Sequence, residues 1–193
     1  VDLQVLADTL LMSAELTLLS LLLGYPLAYV IVRAESSLLR GFLLLSLVVT
    51  FLSGTVTRAY AWLIILGNNG LVNTVLKQAG IIDSPLKLVY NKTGVIIALV
   101  HFALPFFVLT MLGPLKNVPR VLEESAINLG ASRLQAFFRV TLPLSVPGIV
   151  AACSLTFAVA LGSFLFPMVL GGGRVRFVSN AIYELIFTSF DIP

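Results

Sequence analysis

Charged positions cut this chain into apolar stretches of membrane-crossing length. Residues 93–115 contain no Asp, Glu, Lys or Arg, and residues 140–173 contain none either. Two earlier stretches are nearly as apolar: 10–32, interrupted by Glu15, and 41–57, free of charge, with a continuation open across Arg58 toward Leu66. About 20 consecutive apolar residues cross the hydrocarbon of a bilayer. The pattern therefore predicts four spans, about 10–32, 41–57, 94–112 and 145–166. Between them lie a charged turn from Arg33 to Arg40 and a turn at Asn68-Asn69-Gly70. A short helix over 71–79, stopped by Gly80, and an irregular stretch over 81–92 follow. After Gly171-Gly172-Gly173 the chain returns to water, with an amphipathic run over 181–190. The expected architecture is an all-α, polytopic membrane protein with one transmembrane domain over 1–193.

The polar segment between the last two spans, 115–141, has its own design. Val121, Leu122, Ala126 and Leu129 recur near helical spacing, with Arg120, Glu123, Glu124 and Asn128 interleaved. Pro119 fits the first turn of such a helix, where its missing N–H costs nothing. Gly130 suits the left-handed position that ends it. Ser132 suits the cap of a second helix whose apolar side is Leu134, Phe137 and Phe138. Ser125 and Ala126 are small and leave room for a partner on the first helix. Two short helices and a hinge, carrying both signs of charge between two membrane spans, form an aqueous loop shaped for a groove on another protein.

Composition narrows the class. Hydrophobic residues make up 59% and charged residues 11%, against roughly 25% charged in soluble domains. With a mean hydropathy of +1.05, a soluble core of this size is excluded. The net charge of +3 is spread over every loop without a cluster, so nucleic acid has no footprint here. Cys153, the only cysteine, sits in an apolar run and reads as a small buried hydrophobe.

A few residues inside or beside the spans carry chemistry. Glu15 is a carboxylate within a span, which marks a pathway residue by default. It also lies only about 8 Å from the start of that span, within reach of the interface. Tyr60 and Trp62 suit the headgroup level; facing inward, their rings would attract a cation. Anchoring is favoured for Tyr60, and both readings stay open for Trp62. His101 reads as a helix–helix hydrogen-bonding group. Glu184 and Asp191, among aromatics near the end of the chain, suit a cationic solute or simple solvation.

The run Glu124-Ser125-Ala126, three residues, Gly130, nine residues and Val140-Thr141-Leu142-Pro143 resembles the EAA loop of ABC-importer permeases. In that family the loop faces the cytoplasm and forms the coupling helix that docks on the ATP-hydrolysing subunit. Ser125 and Val140 depart from the family's Ala and Ile and keep their size class. Gly24-Tyr25-Pro26-Leu27-Ala28-Tyr29, Arg58-Ala59-Tyr60-Ala61-Trp62 and Leu104-Pro105-Phe106 resemble runs of the spermidine/putrescine-type permeases. The resemblance covers nearly all of residues 10–193. It implies a type I importer fold with no catalysis and no cofactor on this chain. It also implies a second permease subunit, two ATP-binding subunits, an extracytoplasmic substrate-binding protein and membrane lipid around the spans. Carried onto this chain, the coupling residues are Glu124, Ser125, Ala126, Gly130, Leu134 and Phe137. Candidate pathway residues are Trp62, Tyr60, Glu15, Glu184 and Asp191. A bacterial inner-membrane location with loop 115–141 in the cytoplasm follows from the same resemblance. Polyamine is the expected substrate class, with opines, phosphonates and ferric iron as alternatives.

Enzyme classes find little support. The in-span ionisable groups Glu15 and His101 lack a second acid. The chain also has no G-x4-G-K-[ST] phosphate loop and no metal-ligand spacing, with one His and one Cys in all. A stand-alone carrier or channel and a membrane scaffold are the remaining classes; neither explains the polar loop. Charge does not orient the chain. Arg33, Arg40, Lys116, Arg120, Arg133 and Arg139 share one side of the four-span topology; Arg58, Lys77, Lys87, Lys92, Arg174 and Arg176 share the other. Six against six leaves the positive-inside rule silent. The absence of an initiator Met, and a family pattern in which Asp191-Ile192-Pro193 precedes a further helix, lead to the expectation of a chain cut at both ends.

Overall fold

Residues 3–187 are described by a computed structural model, and their regular structure is helical throughout. The helices are α1 (Leu3–Arg33), α2 (Ser37–Leu52), α3 (Thr55–Leu66), α4 (Leu71–Gln78), α5 (Lys92–Lys116), α6 (Arg120–Asn128), α7 (Arg133–Ala136), α8 (Leu142–Leu161), α9 (Leu165–Gly171) and α10 (Val178–Phe187). A π-helical turn, Phe137–Thr141, joins α7 to α8. Four helical stretches are long and apolar enough to cross a membrane: Leu3–Arg33, Thr55–Gln78, Lys92–Lys116 and Arg133–Leu161.

Two expected spans take a different form. The second, expected over 41–57, is interrupted: α2 ends at Leu52, and Gly54 takes an extended ψ of 139° before α3 starts. The fourth, expected over 145–166, begins earlier, because the helix of the polar loop runs through the π turn into α8. It ends earlier too, at Leu161, with α9 restarting at Leu165.

The described residues divide into two compact units. One takes the chain up to Thr17, Leu52–Ala103 and the chain from Phe157 on; the other takes Leu18–Phe51 and Leu104–Thr156. The core of the second unit is built from Tyr25, Ala28 and Ile31 of α1, Leu47 of α2, Phe107, Val108, Met111 and Leu115 of α5, and Ala152 of α8. The Ser145 hydroxyl donates to the Leu142 carbonyl at 2.9 Å, which leaves its oxygen to accept from the Tyr25 phenol at 2.8 Å. That buried pair locks α1 to α8 in a setting where lipid offers no competing hydrogen bond.

In the first unit one buried asparagine organises the irregular stretch after α4. Asn73 donates to the carbonyls of Gly67 and Leu86, both at 3.0 Å, and accepts from the Leu86 N–H at 2.8 Å. Asn180 does the same near the end of the described chain. Its side chain donates to the Phe164 carbonyl at 3.0 Å and accepts from the Phe177 N–H at 3.2 Å. Both satisfy backbone groups that have no helical partner.

Candidate functional site

The polar loop folds as two helices around a left-handed hinge. α6 starts one residue after Pro119, which serves as its N-cap with ψ 133° rather than as its first helical residue. At the other end the Gly130 N–H donates to the Ile127 carbonyl at 2.9 Å and the Ala131 N–H to the Ala126 carbonyl at 3.0 Å. This pair of reversed bonds is a Schellman ending, and it places Gly130 at φ +94°. Ser132 then opens α7 with a capping box. Its hydroxyl accepts from the Gln135 N–H at 3.2 Å while the Gln135 side chain accepts from the Ser132 N–H at 3.0 Å.

A charged cluster seats this loop on the helices of the second unit. The Glu123 carboxylate accepts from Arg33 Nη2 at 2.5 Å and from the Thr141 hydroxyl at 2.5 Å, and the Tyr29 hydroxyl approaches its other oxygen at 3.4 Å. Arg33 also donates to the Val118 carbonyl at 3.2 Å and lies over the Tyr29 ring. The Arg33 and Glu123 side chains are only 13% and 16% exposed. From the loop side Arg120 returns to α1, donating to the Val32 and Arg33 carbonyls at 3.3 and 2.9 Å. A cation on those last carbonyls satisfies acceptors that a helix end leaves open. The end of α1, the start of α6 and the start of α8 are thus held by one carboxylate.

The π turn explains how Thr141 takes part. A π segment adds a residue to the helical register, and Thr141 lies buried in the turn with its hydroxyl on Glu123. Phe137, at the other end of the turn, packs edge-on against Tyr25 and Tyr29 with ring centroids 5.8 and 5.1 Å away. Phe137 was expected on the docking face; its ring instead packs inward, against aromatics of α1. The other expected loop residues face outward or line the turn. Glu124, Ser125 and Gly130 are exposed, Ala126 is half-buried and Leu134 is 70% exposed. Val121, Leu122, Leu129 and Phe138 add exposed apolar area to the same loop.

The expected pathway residues do not converge. Trp62 donates its indole N–H to His101 Nδ1 at 3.2 Å, and the two rings meet edge-on with centroids 5.4 Å apart. Tyr60 is exposed. Glu15 pairs with Lys92 at 2.7 Å and Glu184 with Arg176 at 3.2 Å. Glu184 borders a cavity of about 250 Å³ that Glu15, Tyr60 and Trp62 do not line. Asp191 lies outside the described residues. Arg58, counted from the sequence among the cations of one membrane side, is buried with its guanidinium 4.8 Å from the Phe102 ring.

Sequence reasoning passed over Glu123, Arg33 and Thr141. The one signal available was the doubled acid Glu123-Glu124: two adjacent helical positions point about 100° apart, so the two carboxylates can meet different surroundings.

Membrane-length helices joined to a capped, latched amphipathic loop define a class: α-helical membrane proteins with several candidate spans. Residues 20–190 match the family described as the binding-protein-dependent transport system inner membrane component. The chain belongs to that family, whose members are non-catalytic permease components of the inner membrane. It is 37% identical over 190 residues to the spermidine/putrescine transport system permease protein PotB of Haemophilus influenzae, covering 98% of this chain and 66% of that one. To PotB of Escherichia coli K12 it is 36% identical, covering 98% of this chain and 69% of that one. This chain therefore spans about two thirds of the length of these relatives. Its fold is also similar to a chain in the crystal structure of a bacterial ABC transporter involved in import of the acidic polysaccharide alginate. The TM-score there is 0.71 at 22% identity, over 96% of this chain and 69% of the other.

Proposed function

We propose that this chain forms part of the substrate pathway of an ATP-driven importer and couples it, through the loop 115–141, to a separate ATPase subunit. The observation that carries this reading is the loop itself. Its backbone is closed by a Schellman ending and a capping box, it is seated on α1 and α8 through Glu123, and its apolar side chains are left in water. Force applied to the exposed face of α6 would reach the end of α1 through Arg33 and the start of α8 through Thr141. A second permease subunit, two ATP-binding subunits and an extracytoplasmic binding protein complete the machine. The proposed substrate is a polyamine or a similar small organic solute, supported by the names of the relatives at 36–37% identity.

The test is spermidine uptake into vesicles holding the full-length chain with its partner subunits, with and without ATP, beside a Glu124→Arg variant. ATP-dependent uptake that the variant loses supports both the substrate and the docking role of the exposed face. Uptake that survives charge reversal removes Glu124 from the docking surface. A complex that hydrolyses ATP without moving spermidine keeps the importer reading and redirects the substrate search to opines, phosphonates and ferric iron. Uptake by this chain alone, without ATP, overturns the proposal.

Gly130→Val tests the hinge. No atom lies within 4 Å of the position its Cβ would take, so the effect is conformational. A left-handed φ costs an L residue about 1–2 kcal/mol and is rarer still for a β-branched one. The variant is expected to reach the membrane and assemble, yet lose most ATP-dependent uptake, as read by comparing uptake with ATP hydrolysis in the same vesicles. Normal uptake would remove the hinge from the coupling route.

A further inference from the structure

α3 carries a charge that its own surroundings leave unsatisfied. Arg58 is 8% exposed, and its guanidinium lies 4.8 Å from the Phe102 ring of α5. Phe102 is about 15 Å along the helix axis from Lys92, the first residue of α5. That depth puts the charge well inside the apolar layer. A charged side chain there is costly, and it marks a functional position whose partner has to be named.

No described group supplies that partner. Arg58 Nε and Nη1 are buried without a hydrogen bond among the described residues. The ion pairs among those residues join Arg33 to Glu123, Lys92 to Glu15 and Arg176 to Glu184. His101, next to Phe102, offers no acceptor. Its Nδ1 takes the Trp62 N–H at 3.2 Å, which leaves Nε2 as the protonated nitrogen. Phe102 itself packs on the buried Phe166, with ring centroids 5.2 Å apart. An aromatic face attracts a cation, but it does not take up the five N–H groups of a guanidinium fork. The group that matches the fork is a carboxylate.

The surface beside Arg58 shows where such a group arrives. Thr57, Tyr60, Ala61 and Ile64 recur at helical spacing, and all four are exposed. Arg58 borders this stripe, and Ala61, one turn on, is small enough to leave an approach to it. The composition of the stripe sets it apart from a lipid-facing one. α2 turns Leu38, Phe42, Leu45, Val49 and Leu52 outward, a row of bulky apolar groups suited to lipid chains. The α3 stripe instead offers a hydroxyl, a phenol and a methyl group before Ile64. Small and hydroxylated residues mark places where one membrane helix packs on another.

We infer that this stripe of α3 packs on a membrane helix of the second permease subunit, and that Arg58 receives a carboxylate from that helix. The inference rests on the importer reading, which supplies the second subunit. A polyamine has the same sign of charge as Arg58 and is repelled by it, so the anion belongs to a protein and not to the solute. Removing one partner of a desolvated pair is costly, whereas removing both costs little. That asymmetry sets the register between two helices whose remaining contacts are non-directional.

The experiment uses the full-length chain assembled with its partner subunits in phosphatidylcholine nanodiscs. Ile64 is replaced by the photoreactive benzoylphenylalanine, and the adducts formed on irradiation are identified by mass spectrometry. The expected adduct is with a spanning helix of the second permease subunit that contains an Asp or Glu. Adducts with lipid alone overturn the inference. Adding Arg58→Met strands the carboxylate and is expected to lower the adduct yield by about tenfold or more. Lys77→Met, which removes an exposed cation from α4, is expected to stay within about twofold of the parent. Changing the acid of the captured helix to Leu alongside Arg58→Met should bring the yield back to within about twofold of the parent. A purely local packing role for Arg58 gives no such rescue, so its failure also overturns the inference. An Arg58→Met complex with parental adduct yield, in which the parent shows ATP-dependent uptake, overturns this inference alone. Transport by the chain with no ATPase subunit present overturns the importer reading and this inference together.

Discussion

Glu123→Ala is expected to detach the polar loop from the helices it is seated on. The substitution leaves the Arg33 guanidinium, 13% exposed, facing a space where its carboxylate was, and deprives the Thr141 hydroxyl of its acceptor. Removing one partner of a buried pair costs about 3–5 kcal/mol. This pair keeps some solvent contact, so a loss of about 2–4 kcal/mol is expected. Thermal unfolding of the detergent-solubilised complex reads the stability, and uptake in vesicles is expected to fall by about tenfold or more. Replacing both partners, Arg33→Met with Glu123→Met, removes the stranded charge and is expected to recover much of the lost stability. If that double variant is stable but transports poorly, the ion pair serves coupling beyond holding the fold. A Glu123→Ala protein with parental melting and parental uptake would remove the cluster from both roles.

Gly148→Ala is expected to be the most damaging single methyl group that can be added to this chain's second unit. Gly148 of α8 faces Pro114 of α5, and a Cβ there would overlap the Pro114 ring and lie 3.4 Å from the Met111 sulfur. A proline ring has no rotamer to move into, and Met111 is fully buried, so the two helices must separate. Overpacking of this kind costs about 1–3 kcal/mol, with the upper end expected because the obstacle is rigid. Without a hydrophobic drive between helices in lipid, close backbone approach is the main source of their association. Yield of monodisperse protein after solubilisation should fall, and Gly148→Val should abolish it. At Gly41, where no atom lies within 4 Å of the added carbon, the same change to Ala should leave the yield unaltered. Equal behaviour of the Gly41 and Gly148 variants would show that this contact does not limit assembly.

The two positions were not equally legible in the sequence. The small residues Gly148 and Ala152, four apart, are a packing signal that any sequence displays. Glu123 sat beside Glu124 with nothing in the local pattern to say which acid turned inward. Its partners are 90 residues away at Arg33 and 18 away at Thr141, and no periodicity spans such separations. Trp62 with His101 and Arg58 with Phe102 are of the same kind. Each residue could be named as polar or aromatic within a span, and its partner was set by how α3 and α5 pack. Phe137 shows the reverse error. Helical spacing put it on one face with Leu134 and Phe138, and the packing of α1 brought Tyr25 and Tyr29 against its ring.

The sequence by itself determined the helical class, the membrane-length stretches within α1 and α5, and the internal plan of the polar loop. Those properties are local. Apolar run length is set by membrane thickness, and the Gly130 hinge and the Ser132 cap are decided by residues within one turn of them. Only the tertiary structure decided which carboxylate latches the loop, which way Phe137 points, and that Arg58 is buried. Each of those depends on a partner far away in the chain, chosen by the packing of whole helices and by the need to pair buried polar groups where no water reaches them.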